Sequence, residues 1–285
     1  MKKLKVLDLF SGIGGFSLGL ERAGMETVAF CEIEEYPVKV LNKHWPNVPV
    51  YEDVRNVTKE RLEADGIRPN IICGGFPCQD ISIAGNQAGI YDGERSSLWG
   101  ELCRIIGEIR PNYAIVENVT ALISGDKGRW FQRVLRDLAE IGYDCEWHCI
   151  SASELGAHHH RDRIWIICYP KYAGRATTEI RESDQKGNGS HSEGSKPASK
   201  SKGSGNAEIL ADTNSTQFKR GCISEQIQQE YPNIISSGWW ISEPSVGRVA
   251  NGVSRRVDRL KGLGNAVVPQ VVELIGRAII STYDK

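Results

Sequence analysis

Apolar positions over the first 170 residues fall into short continuous runs separated by longer stretches in which they recur every three or four residues. The continuous runs at 4–10, 27–33, 70–76 and 113–119 have the length and side chains of buried strands. Between them the helical periodicity predicts helices near 16–23, 35–44, 98–109 and 130–141. Regular alternation of this kind predicts an α/β fold, a parallel sheet with helices on both faces. A weaker strand is expected at 48–51. The runs 143–151 and 163–169 have no helix between them, which predicts an antiparallel pair at the sheet edge.

After Pro170 the pattern breaks down. From Ser183 to Asn206 there is no Val, Leu, Ile, Phe, Tyr or Trp, so this stretch has nothing to bury and is expected to be flexible or solvated. Order is expected to resume with Ile209-Leu210 and the Trp239-Trp240 pair, and a final amphipathic helix is expected over 270–281, after Pro269. Composition adds little to this outline. The formal charge is −1, so attraction to a polyanion must come from local clusters of Lys and Arg. The eight cysteines, at 31, 73, 78, 103, 145, 149, 168 and 222, show no disulfide framework, and several lie in strand-like runs where a reduced thiol packs as a small hydrophobe. With no long uncharged apolar stretch and no signal peptide before the first strand, a cytoplasmic protein without a membrane segment is expected.

Two places carry the chemistry. The first is Ser11-Gly-Ile-Gly-Gly15, between a strand and a helix, where small residues let backbone approach a ligand at a helix N-terminus. The spacing is not the dinucleotide fingerprint, and the ordinary alternative is a tight turn without ligand. Glu32, at the end of the second strand, is placed to meet a ribose, Phe10 to stack on a cofactor and Asp53 to meet an adenine amino group, a set that favours an adenosyl cofactor. The second place is Gly74-Gly-Phe-Pro-Cys78-Gln79, just beyond the third main strand, which makes Cys78 a candidate nucleophile; the ordinary alternative is a buried thiol. Glu117 ends another strand, where partial burial would raise its pKa toward a proton-donating role. A turn at 158–163 brings His158, His159, His160, Arg161 and Arg163, which also fit an exposed polar connection. A thiol, a carboxyl group and a guanidinium at one sheet edge are the groups needed to activate cytosine C5: thiolate addition at C6, a proton for N3 and a cation near O2.

Taken in this order, Phe10-Ser-Gly-Ile-Gly-Gly15, Pro77-Cys78-Gln79, Glu117-Asn118-Val119, Arg161-Asp-Arg163 and Gly262-Leu-Gly-Asn265-Ala-Val-Val-Pro269 resemble the motifs of bacterial and phage DNA (cytosine-5)-methyltransferases, over about residues 4–170 and 255–283. The resemblance implies an S-adenosylmethionine-dependent, Rossmann-like fold with a mostly parallel mixed sheet and a small target-recognition domain. It implies a catalytic and cofactor-binding domain over 1–170, a small, partly flexible recognition region over 171–250, and a C-terminal segment, 251–285, that returns to the catalytic domain. Cys78 would be the nucleophile and Glu117 the N3 partner, with Arg161 and Arg163 holding the phosphate and the flipped base. Phe10, Gly12, Gly14, Glu32, Asp53, Pro77, Leu98 and Asn265 would line the S-adenosyl-L-methionine site, and Gln79, Ser82, Arg255 and Arg256 would meet DNA. No metal is implied. The partners implied are double-stranded DNA, on which a monomer would act after base flipping, and a cognate restriction endonuclease, as in a restriction-modification system. The chain departs from the family pattern at His159, where Gln is usual, and at Ala266, where Ser is frequent.

Four rival readings fit some of the same residues. Cytosine methylation in RNA would use the same residues, and a DNA-binding protein without turnover would have no use for the intact Cys78, Glu117 and Arg163. A cysteine hydrolase pairing Cys78 with one of the histidines leaves the glycine loop without purpose. Zinc held by Cys145, His148, Cys149 and the histidine triplet at 158–160 conflicts with strand alternation, which points His148 away from the two thiols.

Overall fold

The computed structural model describes residues 3–77, 98–171 and 256–283. Cys78, Gln79, Ser82, Arg255, the side chain of Arg256, the Trp239-Trp240 pair and nearly all of the region expected to recognise the target lie outside the described residues. Among the described residues seven strands form one sheet: β1 (Lys5–Leu9), β2 (Glu26–Cys31), β3 (Val50–Tyr51), β4 (Ile71–Gly75), β5 (Tyr113–Val119), β6 (Tyr143–Ser151) and β7 (Asp162–Pro170). Their spatial order is β3-β2-β1-β4-β5-β7-β6. The first five run parallel, while β7 is antiparallel to both β5 and β6. The expected antiparallel pair is therefore at the edge, with the later strand, β7, inserted inside the earlier one.

Helices cover both faces. They are α1 (Gly15–Arg22), α2 (Glu35–His44), α3 (Lys59–Ala64), α4 (Leu98–Ile109), α5 (Ala121–Ser124), α6 (Arg129–Glu140), α7 (Arg256–Asn265) and α8 (Pro269–Tyr283). Strand alternation divides the core in two. Leu7, Leu9, Ile72, Ala114 and Val116 face Leu102, Ile105 and Ile106 of α4 and Val134 and Leu138 of α6. Val6, Ile71, Cys73, Ile115 and Trp165 face Phe16 and Leu20 of α1 and Val272, Ile275 and Ile279 of α8. The last helix thus packs on the first. Gly19 permits this: a Cβ there would lie 2.5 Å from the Pro269 carbonyl oxygen and from Val272 Cβ. Pro269 opens α8 at the position where its missing N–H costs nothing. By length and composition the stretch Lys261–Tyr283 could cross a membrane, but it is broken at 266–268 and half of it is buried in the core.

Three strands end earlier than the apolar pattern predicts, among them β4, which stops at Gly75 rather than at residue 76. β1 stops at Leu9 because Phe10 takes a left-handed backbone, φ 54°. β2 stops at Cys31, and just past it the Glu32 side chain accepts from the Gly12 amide of the neighbouring loop and from the Glu34 amide of its own.

Candidate active site

The strand order reverses between β1 and β4, and the crevice beyond the carboxyl ends of those strands is where open α/β sheets bind ligands. Phe10, Glu32, Pro77 and Glu117 all stand at or just past carboxyl ends of neighbouring parallel strands. On the β1 side, Ser11 Oγ donates to the Asp8 carbonyl at 2.6 Å and accepts from the Cys31 amide at 3.2 Å, tying the loop to β2. Glu32 is 8% exposed; its carboxylate accepts from the Gly12 amide at 2.7 Å and the Glu34 amide at 2.8 Å. Gly12 has φ 52°, and among the described residues nothing beyond its chain neighbours lies within 4 Å of the place where its Cβ would be. That open space beside a fixed carboxylate suits the ribose and amino-acid portions of an adenosyl cofactor. Ile33, 72% exposed directly after Glu32, adds an apolar surface that the sequence reading missed; a large exposed aliphatic beside a buried acid is the signal for it.

Gly14, in the same loop, is also constrained by packing from behind. With φ 84°, it has the Trp45 ring 2.7 Å from its Cβ position, and Trp45 Nε1 donates to Glu21 of α1 at 2.9 Å. Behind the loop, Asp8 is fully buried and accepts from the amide and hydroxyl of Ser17, at 3.2 and 2.8 Å. Burial outweighs these hydrogen bonds and pushes its pKa up to about 7. Asp53 turns its carboxylate back on Arg55, accepting from that amide at 2.9 Å and pairing with the guanidinium at 3.5 Å. Leu98 and Phe10 are half-buried against the same apolar cluster.

On the β4–β5 side the register places Glu117 opposite Gly75 and, across the other edge of β5, opposite Trp165. Arg163 is opposite Val119, two residues along from Glu117 and therefore on the same face, so the two side chains meet diagonally. Arg163 Nε donates to Glu117 Oε1 at 2.8 Å, with only 11% of the Glu117 side chain exposed. Two influences oppose each other at this carboxyl group. Burial raises its pKa while the guanidiniums of Arg163 and Arg161 lower it, and burial prevails, so the net shift is upward. Gly75 makes room for the pair, since a Cβ there would sit 2.7 Å from Glu117 Oε2.

Asn118, buried and assigned no role by the sequence reading, donates to the Phe76 carbonyl at 3.4 Å and accepts from the Val119 amide at 2.8 Å. It fixes the chain two residues before Cys78 to the strand that carries Glu117. Arg161 stands differently from Arg163. Its Nη2 donates to two backbone carbonyls, Gly264 at 2.8 Å and Ala266 at 2.6 Å, flanking the exposed Asn265.

Comparison with known proteins adds an independent line. The family model described as C-5 cytosine-specific DNA methylase matches residues 4–240. The type II methylase M.HgiEI of Herpetosiphon aurantiacus is 33% identical over 191 residues, 65% of this chain and 42% of that protein. The type II methyltransferase M.HhaI of Haemophilus parahaemolyticus is 33% identical over 166 residues, 58% of this chain and 49% of that protein. The matched stretch thus spans less than half the length of these relatives. Among solved structures, a protein described as a DNA modification methyltransferase encoded within an E. coli prophage superposes with a TM-score of 0.51 at 26% identity, covering 59% of this chain and 47% of that one.

Proposed function

Because the chain belongs to the C-5 cytosine-specific DNA methylase family, we propose that it transfers a methyl group from S-adenosylmethionine to C5 of a cytosine flipped out of duplex DNA. The observation that carries this reading is the ion pair of buried Glu117 with half-buried Arg163 at the carboxyl end of β5, opposite the glycine that lies three residues before Cys78. Cytosine C5 is too poor a nucleophile to take a methyl group unaided. Thiolate addition from Cys78 to C6, with a proton delivered to N3 from Glu117, turns the ring into an enamine whose C5 is nucleophilic. A carboxyl group whose pKa burial raises is suited to that donation, and Arg163 fixes its orientation while presenting a cation near the ring oxygen. Once C5 has taken the methyl group, loss of the C5 proton to water, expulsion of the Cys78 thiolate from C6 and return of the N3 proton to Glu117 restore the aromatic ring.

Phe10, Gly12, Gly14, Glu32, Asp53, Pro77, Leu98 and Asn265 would hold the cofactor, and Glu32, Gly12 and Ile33 offer the acid, the open space and the apolar surface that it requires. When bound, it supplies a methyl group activated on a sulfonium. Duplex DNA would be met by Gln79, Ser82, Arg255 and Arg256. Extruding the base costs a few kcal/mol, recovered by contacts in the pocket. We further propose that the protein acts as a monomer in the cytoplasm, beside a cognate restriction endonuclease.

The test is incubation with methyl-labelled cofactor and either duplex DNA or tRNA, with Cys78→Ala as control. Label on C5 of DNA cytosine, lost in the variant, is expected. Transfer only to RNA, or transfer that survives Cys78→Ala, would reject the proposal. Bisulfite sequencing of DNA from expressing cells would report the recognition site at the same time.

A further inference from the structure

The arginine that precedes β7 is bonded to the far end of the chain. Arg161 Nη2 donates to the carbonyl oxygens of Gly264 and Ala266, 103 and 105 residues away in sequence. Both carbonyls sit where α7 ends, so no further helical turn supplies them with amides, and a cation there also complements the helix dipole. The opposite side of the same segment is equally constrained. A Cβ at Gly15 would lie 2.9 Å from both the carbonyl oxygen and Cγ2 of Val267, and one at Gly262 would lie 3.3 Å from Ile13 Cγ2. Residues 262–267 are therefore held between the Arg161 guanidinium and the glycine loop, and Asn265 lies between the two carbonyls that the guanidinium grips. Arg161 Nε is itself buried, with no hydrogen-bond partner among the described residues, so neither that nitrogen nor the occupied Nη2 is presented to solvent as a phosphate fork would be.

We propose that Arg161 is a positioning residue for the cofactor site: it fixes the backbone around Asn265 against the loop that runs from Ser11 to Gly15, and through that segment sets affinity for the adenosyl cofactor. This rests on the reading of that loop as the cofactor site. It reassigns Arg161 from the DNA to the opposite side of the reacting centre and leaves Arg163 as the guanidinium that faces the base. The two arginines, one residue apart, then divide the work by strand geometry. Arg163 lies within β7 on the face of Glu117, whereas Arg161 lies before the strand and reaches the returning C-terminal segment.

The experiment uses the full chain and its Arg161→Ala and Arg161→Lys variants, with folding checked by thermal unfolding. S-adenosylhomocysteine is titrated calorimetrically without DNA, and amide hydrogen exchange is followed over 262–268 without ligand. Arg161→Ala should weaken binding of S-adenosylhomocysteine ten- to a hundredfold and speed exchange over 262–268. Arg161→Lys should recover part of both, because an ammonium has donors for two carbonyls. DNA affinity, and the slope of its logarithm against that of salt concentration, should stay as in the wild type. A variant that binds S-adenosylhomocysteine normally while that slope falls by about one phosphate would overturn the inference and leave the functional reading standing. A wild-type chain that binds no S-adenosylhomocysteine would instead sink the functional reading and this inference with it.

Discussion

Replacing Gly75 with alanine adds one carbon to the molecule, at a point 2.7 Å from Glu117 Oε2. A comfortable carbon–oxygen contact is about 3.4 Å, so the carboxyl group must retreat by roughly 0.7 Å. It has little freedom to do so. The other oxygen is held by Arg163 Nε at 2.8 Å, the side chain is 11% exposed, and the backbone at both residues is fixed by the β4–β5 ladder. A catalytic group displaced by about 1 Å can lose about a hundredfold in rate, equivalent to about 2.7 kcal/mol of barrier. Overpacking in the ground state should cost about 1–3 kcal/mol of stability, which a folded domain tolerates. Single-turnover transfer of labelled methyl at saturating cofactor and DNA, with cofactor affinity and urea unfolding measured in parallel, separates the two effects. A roughly hundredfold slower step with cofactor affinity within about twofold of wild type is expected. A folded Gly75→Ala protein that transfers methyl at the wild-type rate would refute the reasoning that β4 locates this carboxyl group.

Three further outcomes follow from the same geometry. Glu117→Gln should slow transfer by about 10²–10⁴, and because burial raises the pKa of Glu117, the wild-type rate should fall as pH rises through that value while the variant shows no such limb. Asp8, with a pKa of about 7 when folded against 3.8 when free, keeps its proton in the native chain where the unfolded chain releases it. Stability should therefore decline as pH rises from about 4 to about 7, by at most about 4 kcal/mol, and urea unfolding across that range should show a flatter profile in Asp8→Asn. Gly14→Ala combines a φ of 84° with a methyl carbon 2.7 Å from the Trp45 ring and should cost about 1–3 kcal/mol in chemical unfolding, of which Trp45→Leu in the same chain recovers only the steric part.

The strands and principal helices were legible because each buries a whole face, and burial writes itself into periodicity. The 113–119 run and the helix at 35–44 coincide with β5 and α2 in the structure. Short elements were missed. α3 and α5 have six and four residues, too few for a period to show, and α7 contains Gly262 and Gly264, which argue locally against a helix. Chain order could not reveal that β7 enters between β5 and β6, a choice made by pairing rather than by local preference. Within the site, Glu117 and Arg163 were readable as residue types with a purpose. The bond from Arg161 to residues 264 and 266 was not, because a backbone carbonyl as partner leaves no mark on side-chain identity. Trp45 behind Gly14 was invisible for a related reason: the glycine records that something lies close, not what it is.

The docking of α8 on α1 also bears on how the protein is made. Phe16, Leu20 and the surface cleared by Gly19 emerge early in synthesis, yet the side chains that cover them, Val272, Ile275 and Ile279, are translated roughly 250 residues later. At about 5–20 residues per second the nascent chain carries that bare apolar face for roughly 12 to 50 seconds. Chaperone demand during translation should therefore centre on the first helix rather than on the sheet.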